Sequence, residues 1–207
     1  MRLIRDRADI EAGLARLLAI EPGFGAALAC VGEVALRRKA GGFGDLLEII
    51  VSQQVSLASA AAIKARMRAA GLWSARAIGA ASEADLRAAG LSRPKLRYVR
   101  ALAGAGLDFA ALEAMEDGAV LEILCAIPGI GRWSGEIYLL QSLGRADVFP
   151  AGDLALQKAA RRLFSLDARP SERALRARAE GWAGQRAIAA RLLWAYYGAG
   201  KTAEGIG

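Results

Sequence analysis

Asp153 ends the stretch Phe149-Pro150-Ala151-Gly152-Asp153 and directly precedes an apolar helical run. About twenty residues upstream, the turn Ile127-Pro128-Gly129-Ile130-Gly131 separates two other apolar helical runs. A fixed carboxylate in a dry cleft stabilises a cation that develops on a sugar, and it can orient or deprotonate water. A turn that opens a helix can hold a phosphate on its backbone amides without reading sequence. Each feature also has a plainer reading. Asp is among the best helix N-caps, although a capped Asp is also rigidly aimed. The turn alone would serve as an ordinary Gly-rich connection between helices.

The turn has a local logic. Pro128 stops the preceding helix and disfavours the helical region at Ile127. Gly129 and Gly131 permit positive φ and close backbone approach. Gly131 should open the next helix, so that free amides and the positive end of the helix dipole face outward together. Ile130, between the glycines, should anchor the turn in the core.

The bulk of the chain limits the chemistry further. Its 207 residues suffice for one sizeable core or two small lobes. Hydrophobic residues make up 55%, much of it Ala, which favours closely packed helices. The formal charge of +7 and a sequence pI near 9.9 suit a polyanionic partner. The charges are also sided. Arg87, Arg93, Lys95, Arg97 and Arg100 fall in one window without an acid, whereas Asp108 to Glu122 holds five acids and no base. A solvated Arg-rich surface would look the same from charge alone.

There is no His, which excludes a Ser-His-Asp triad, a Cys-His dyad and any His-ligated metal. The two cysteines, Cys30 and Cys125, cannot make a zinc site or an iron–sulfur cluster and read as small buried hydrophobes. No metal site is expected. The N-terminus lacks a secretory pattern, and no stretch has the length and apolarity of a membrane span. A cytoplasmic, nucleoid-associated monomer with no membrane contact is the expectation.

Nearly every segment reads with helical period, and strand alternation is absent. Helices are expected over Ala8–Ile20, Phe43–Gln54, Leu57–Ala70 capped by Ser56, Arg93–Ala105 capped by Ser92, and Gly118–Ala126 capped by Asp117. Further helices should cover Gly131–Leu143 and Asp153–Phe164, with two more from near Ser171 and Gly184. Ser82-Glu83-Ala84-Asp85 resembles a capping box. The fold class is all-α, with about a dozen helices in two lobes. One lobe would combine residues 1–42 with 146–207; the other, a helical barrel over 43–145, would carry the turn. Asp153 would lie at the seam between them, where ligand clefts tend to form.

Leu124 to Gly131, followed by Trp133-Ser134, resembles the hairpin of the helix-hairpin-helix DNA glycosylase superfamily. The Gly/Pro-rich loop Asp147-Val148-Phe149-Pro150-Ala151-Gly152 leading to Asp153 resembles the second part of that family's pattern. Ile49 to Ser56 and Gly90 to Lys95 extend the likeness, which is strongest toward the alkyladenine branch, DNA-3-methyladenine glycosylase II. Enzymes of that branch often carry an additional N-terminal β-domain; this chain is too short for one and looks like a minimal catalytic unit.

The resemblance implies a two-lobed glycosylase fold with the active-site cleft between the lobes. It also implies a monofunctional enzyme of base excision repair that flips alkylated purines, 3-methyladenine and 7-methylguanine, out of double-stranded DNA. It makes Asp153 catalytic and Asp147 structural. Bifunctional relatives place a Schiff-base Lys where this chain has Trp133. Trp133 thus suits a pocket for cationic bases, with a core role as its plainer reading. The expected DNA contacts are Gln53, Gln54, Gly129, Ile130, Gly131, Arg132, Ser134, Arg93 and Lys95. Gln54 is the residue that would fill the gap left by the flipped base, while Gln53 and Gln54 could equally finish a helix by satisfying its backbone groups. No organic cofactor is implied; the family allows a monovalent cation under the hairpin carbonyls.

Trp182, Trp194, Tyr196 and Tyr197 read as core. Gln185 stands where the family has a second pocket Trp, and Tyr138 lies one position off its pocket Tyr. Two further readings stay open: a glycosylase of the same fold for a deaminated or oxidised base, and a non-catalytic DNA-binding module.

Overall fold

The computed structural model describes residues 2–203, which form thirteen α-helices and no strand; one isolated antiparallel bridge joins Leu3 to Arg145. The chain divides into two compact units. Unit 1 is made of residues 1–38 and 144–207, and unit 2 of residues 39–143. Unit 1 begins with α1 (Arg7–Ile20) and α2 (Phe24–Val31). Unit 2 holds α3 (Phe43–Ser52), α4 (Leu57–Ala69), α5 (Ala75–Ala80), α6 (Glu83–Ala88), α7 (Arg93–Gly104), α8 (Phe109–Ala114), α9 (Asp117–Cys125) and α10 (Arg132–Gln141). Unit 1 resumes with α11 (Leu154–Leu163), α12 (Glu172–Glu180) and α13 (Arg186–Ala203).

The helices start where short polar side chains can cover their first amides. Ser56 accepts from the Ser59 N–H, Ser74 from Ala77, Asp108 from Ala111 and Ser171 from Ala174. Ser82 and Asp85 form the expected capping box. Two caps differ from expectation. Ser92 stands at the N-cap of α7 without a side-chain cap bond, in a helix whose Pro94 already removes one orphan donor. Asp117 lies inside α9, and Glu116 occupies the N-cap.

In unit 1, Trp182 is 1% exposed and centres an aromatic cluster. Its ring lies 5.0 Å from Phe24, 5.4 Å from Phe149 and 6.0 Å from Phe164. Gly13 lets α1 and α13 approach closely, since a Cβ there would fall 2.6 Å from Ile188 Cγ1. In unit 2, α3 buries Leu46, Leu47, Ile50 and Val51. Tyr138 is fully buried, and its hydroxyl accepts from the Gly42 N–H at 3.1 Å. That contact ties the Gly41-Gly42 segment to α10.

The cysteines are not buried. Cys30 and Cys125 are exposed free thiols. Helix α2 turns Phe24 and Ala27 inward, and α9 turns Val120 and Leu124 inward. Cys125 follows Leu124 by one residue, roughly 100° round the helix, and Cys30 lies three residues past Ala27, roughly 60° beyond the edge of its stripe.

Candidate functional site

In unit 2, the turn of residues 127–131 closes through the Ile130 N–H donating to the Ile127 carbonyl at 3.0 Å. Ile130 is 3% exposed and anchors the turn. Only one of its glycines needs to be glycine for conformational reasons. Gly129 has φ +91°, and a Cβ there would lie 2.2 Å from the Tyr98 ring on α7. Gly131 instead has φ −91° and ψ 176°, and nothing lies within 4 Å of its Cβ direction. The expectation of positive φ therefore holds at Gly129 and not at Gly131. What Gly131 provides is clearance. It is the N-cap of α10 and supplies no side-chain cap bond, so the helix start is open to an external anion.

Gln53 fastens this turn to the end of α3. Its Nε2 donates to the Gly129 carbonyl at 2.9 Å and to Ser134 Oγ at 2.8 Å. Ser134 is 2% exposed, so its side chain works inside the protein. Gln54, the next residue, is exposed and sits at φ +55°. Val55 and Leu57 beside it are 38% and 90% exposed, two of the few large apolar side chains on the surface.

A cavity of about 760 Å³ runs between the α3–α4 turn, the α6–α7 turn and residues 127–131, with Tyr98 and Lys95 in its wall. Lys95 departs from expectation. It is 8% exposed, and its ammonium donates to the Val51 carbonyl at 2.6 Å. Burial lowers its pKa below the usual lysine value. Lys95 thus spends its ammonium on the C-terminal end of α3. Arg93 is exposed. Arg132 is 60% exposed and steadied by Glu136 at 3.0 Å. Trp133 is half-buried.

In unit 1, Asp153 is the N-cap of α11. Its Oδ1 accepts from the Ala155 N–H at 2.9 Å and the Leu156 N–H at 3.1 Å. A third donor comes from α13, the Trp194 indole Nε1 at 3.2 Å. The loop before Asp153 is pinned repeatedly. Asp147 accepts from the Gly184 N–H at 2.6 Å and from Arg186 at 2.9 Å, which gives it the structural part expected of it. Gln157 Nε2 donates to the Ala151 carbonyl at 2.9 Å, and the Asp153 N–H donates to Pro150. A short apolar loop held at so many points presents its terminal carboxylate in one orientation.

Of the aromatic residues read as core, only Trp182 is deeply buried; Trp194, Tyr196 and Tyr197 are half-exposed. Trp194 is the residue that sequence reasoning missed. Gln185 is 4% exposed and accepts from Arg2 Nη2 at 2.8 Å, on the side facing α1. No helix among the described residues is long and apolar enough to cross a membrane.

Residues 47–185 match the family model of the HhH-GPD superfamily base excision DNA repair proteins. The DNA-3-methyladenine glycosidase of Bacillus halodurans superposes with a TM-score of 0.76 at 32% identity, over 93% of this chain and 91% of that one. The Schizosaccharomyces pombe 3-methyladenine DNA glycosylase, solved with abasic DNA, superposes with a TM-score of 0.75 at 28% identity, over 88% and 91%. DNA-3-methyladenine glycosylase 1 of S. pombe is 33% identical over 114 residues, 53% of this chain. The chain spans 58%, 54% and 50% of the length of three curated relatives. With a matching family model over most of its length, an all-helical architecture shared with solved glycosylases, and both halves of the hairpin-and-aspartate pattern in place, the chain belongs to the HhH-GPD superfamily of base excision DNA repair proteins.

Proposed function

We propose that the protein is a monofunctional DNA glycosylase that hydrolyses the N-glycosidic bond of alkylated purines, 3-methyladenine and 7-methylguanine, in double-stranded DNA. The observation that carries this is Asp153, a carboxylate gripped by three donors at the end of a pinned loop. The names of the relatives, 3-methyladenine glycosylases, support the substrate class.

The division of labour follows from each unit's own chemistry. In unit 2, the open start of α10 at Gly131 receives a phosphate, with Arg132 and Arg93 adding charge. The backbone of Gly129 and Ile130 shapes that seat, and Gln53 and Ser134 hold it from inside. Gln54, exposed on its strained turn, fills the space vacated by the flipped nucleotide. Trp133 offers a π-face to a cationic base. In unit 1, Asp153 faces the deoxyribose. As the bond from the anomeric carbon to the base nitrogen breaks, its electron pair leaves with the base and positive charge grows on the sugar. A fixed anion lowers the energy of that state more than that of the ground state. Water then bonds the anomeric carbon and loses a proton to Asp153 or solvent. Trp133 cannot form a Schiff base, so the abasic strand stays intact.

The test is incubation with methylated duplex DNA, followed by chromatography of the freed bases and a gel of the strands. The wild type should release 3-methyladenine or 7-methylguanine and leave intact abasic strands. Asp153→Asn should slow release at least about 100-fold, the scale of losing a main electrostatic contact. Its melting should change little, because Asn caps a helix about as well as Asp. Release of hypoxanthine or an oxidised base alone would move the substrate to another lesion; unchanged turnover in the variant would remove Asp153 from the chemistry.

A further inference from the structure

Trp194 touches the carboxylate on which the proposed reaction depends, and no motif points to it. Its indole N–H lies 3.2 Å from Asp153 Oδ1. The other two donors to that oxygen, the Ala155 and Leu156 N–H groups, both belong to the first turn of α11. They hold the carboxylate as any N-cap is held, from one helix and one side. The indole comes from α13, a separate element forty-one positions away, so Oδ1 is fixed from two directions. With Cβ and Cγ set by the capped backbone, fixing Oδ1 also fixes the plane of the carboxylate and the direction of Oδ2.

We infer that Trp194 is a positioning residue that aims the Asp153 carboxylate at the reacting sugar; this rests on the glycosylase reading above. The chemistry of the donor suits that task. A Lys or Arg here would orient the carboxylate equally well but cancel the charge that must stabilise the sugar cation. The indole N–H is a neutral donor that accepts nothing, so it orients without neutralising. Half-exposure of Trp194 agrees with a side chain that serves a surface and not the core alone.

The test uses the full chain and two duplexes. One carries a pyrrolidine abasic analogue, cationic at neutral pH, and the other a neutral tetrahydrofuran of the same shape. The wild type should bind the cationic duplex more tightly, as expected of a site complementary to a sugar cation. Trp194→Phe keeps the bulk and removes the N–H. It should lose about tenfold of that preference, the scale of one hydrogen bond to a charged group, and slow base release by a similar factor. Its affinity for the tetrahydrofuran duplex should stay unchanged, as a purely structural defect would not allow. Adding Trp194→Phe to Asp153→Asn should then have no further effect on the preference, because the two residues act through one carboxylate. An undiminished preference in Trp194→Phe overturns the positioning role and leaves the glycosylase reading standing. Equal loss on both duplexes makes Trp194 a packing residue and overturns it too. A wild type without any preference overturns the parent reading, and this inference with it.

Discussion

Gln54 is the residue at which the proposed gap-filling role can be weighed against backbone strain. At φ +55° it occupies the left-handed region, which costs an L side chain about 1 kcal/mol and which glycine adopts freely. Such strain survives where the surroundings impose it, often at working sites. Gln54→Gly should therefore raise the melting temperature by a few degrees, since roughly 1 kcal/mol shifts the melting of a chain this size by about 2–4 °C. It should also slow base flipping, read by the fluorescence of 2-aminopurine opposite or beside the lesion. A destabilised variant, or one that flips normally, would count against the assignment. Asp153 was legible as a motif residue and a cap, because both depend on near neighbours in sequence. Trp194 was not, because its bond to Asp153 crosses forty-one positions and exists only after α11 and α13 have packed.

At the scale of elements, helix α7 shows what periodicity gives and where charge misleads. Lys95 and Arg93 both looked like phosphate contacts. Yet Lys95 lies four positions before Val99 and seven before Leu102, on the buried stripe of α7. That spacing marks it as inward-facing whatever its charge. Its four-carbon stem packs, and its ammonium closes the end of α3. Lys95→Met should lower stability by about 1–3 kcal/mol by leaving the buried Val51 carbonyl without its donor. Affinity for undamaged DNA should hold. Arg93→Ala should do the reverse, keeping the melting temperature and lowering affinity while flattening the salt dependence by about one ion. Titrations at several salt concentrations separate the two. The helices themselves were readable from apolar spacing, Ser caps and Pro128. The cysteines were misread because a small apolar residue next to a buried stripe looks the same in sequence as one within it.

At the scale of the molecule, the all-helical class followed from composition and period. The expected breaks after residues 42 and 145 compare with divisions after residues 38 and 143. Unit 2 is one unbroken segment, residues 39–143, whereas unit 1 needs both ends of the chain. Residues 39–143 expressed alone should fold, bind duplex DNA with steep salt dependence and release no base; failure to melt cooperatively would deny the segment its independence. The same continuity imposes an order during synthesis. Domains tend to fold as units while the chain is being made. Residues 39–143 can complete their packing as soon as they leave the ribosome. Helices α1 and α2 must wait for α13, against which both pack. On the glycosylase reading proposed above, a nascent chain acquires its grip on polyanions before it acquires a working carboxylate, and a truncated product would occupy DNA as an inert competitor of the finished protein.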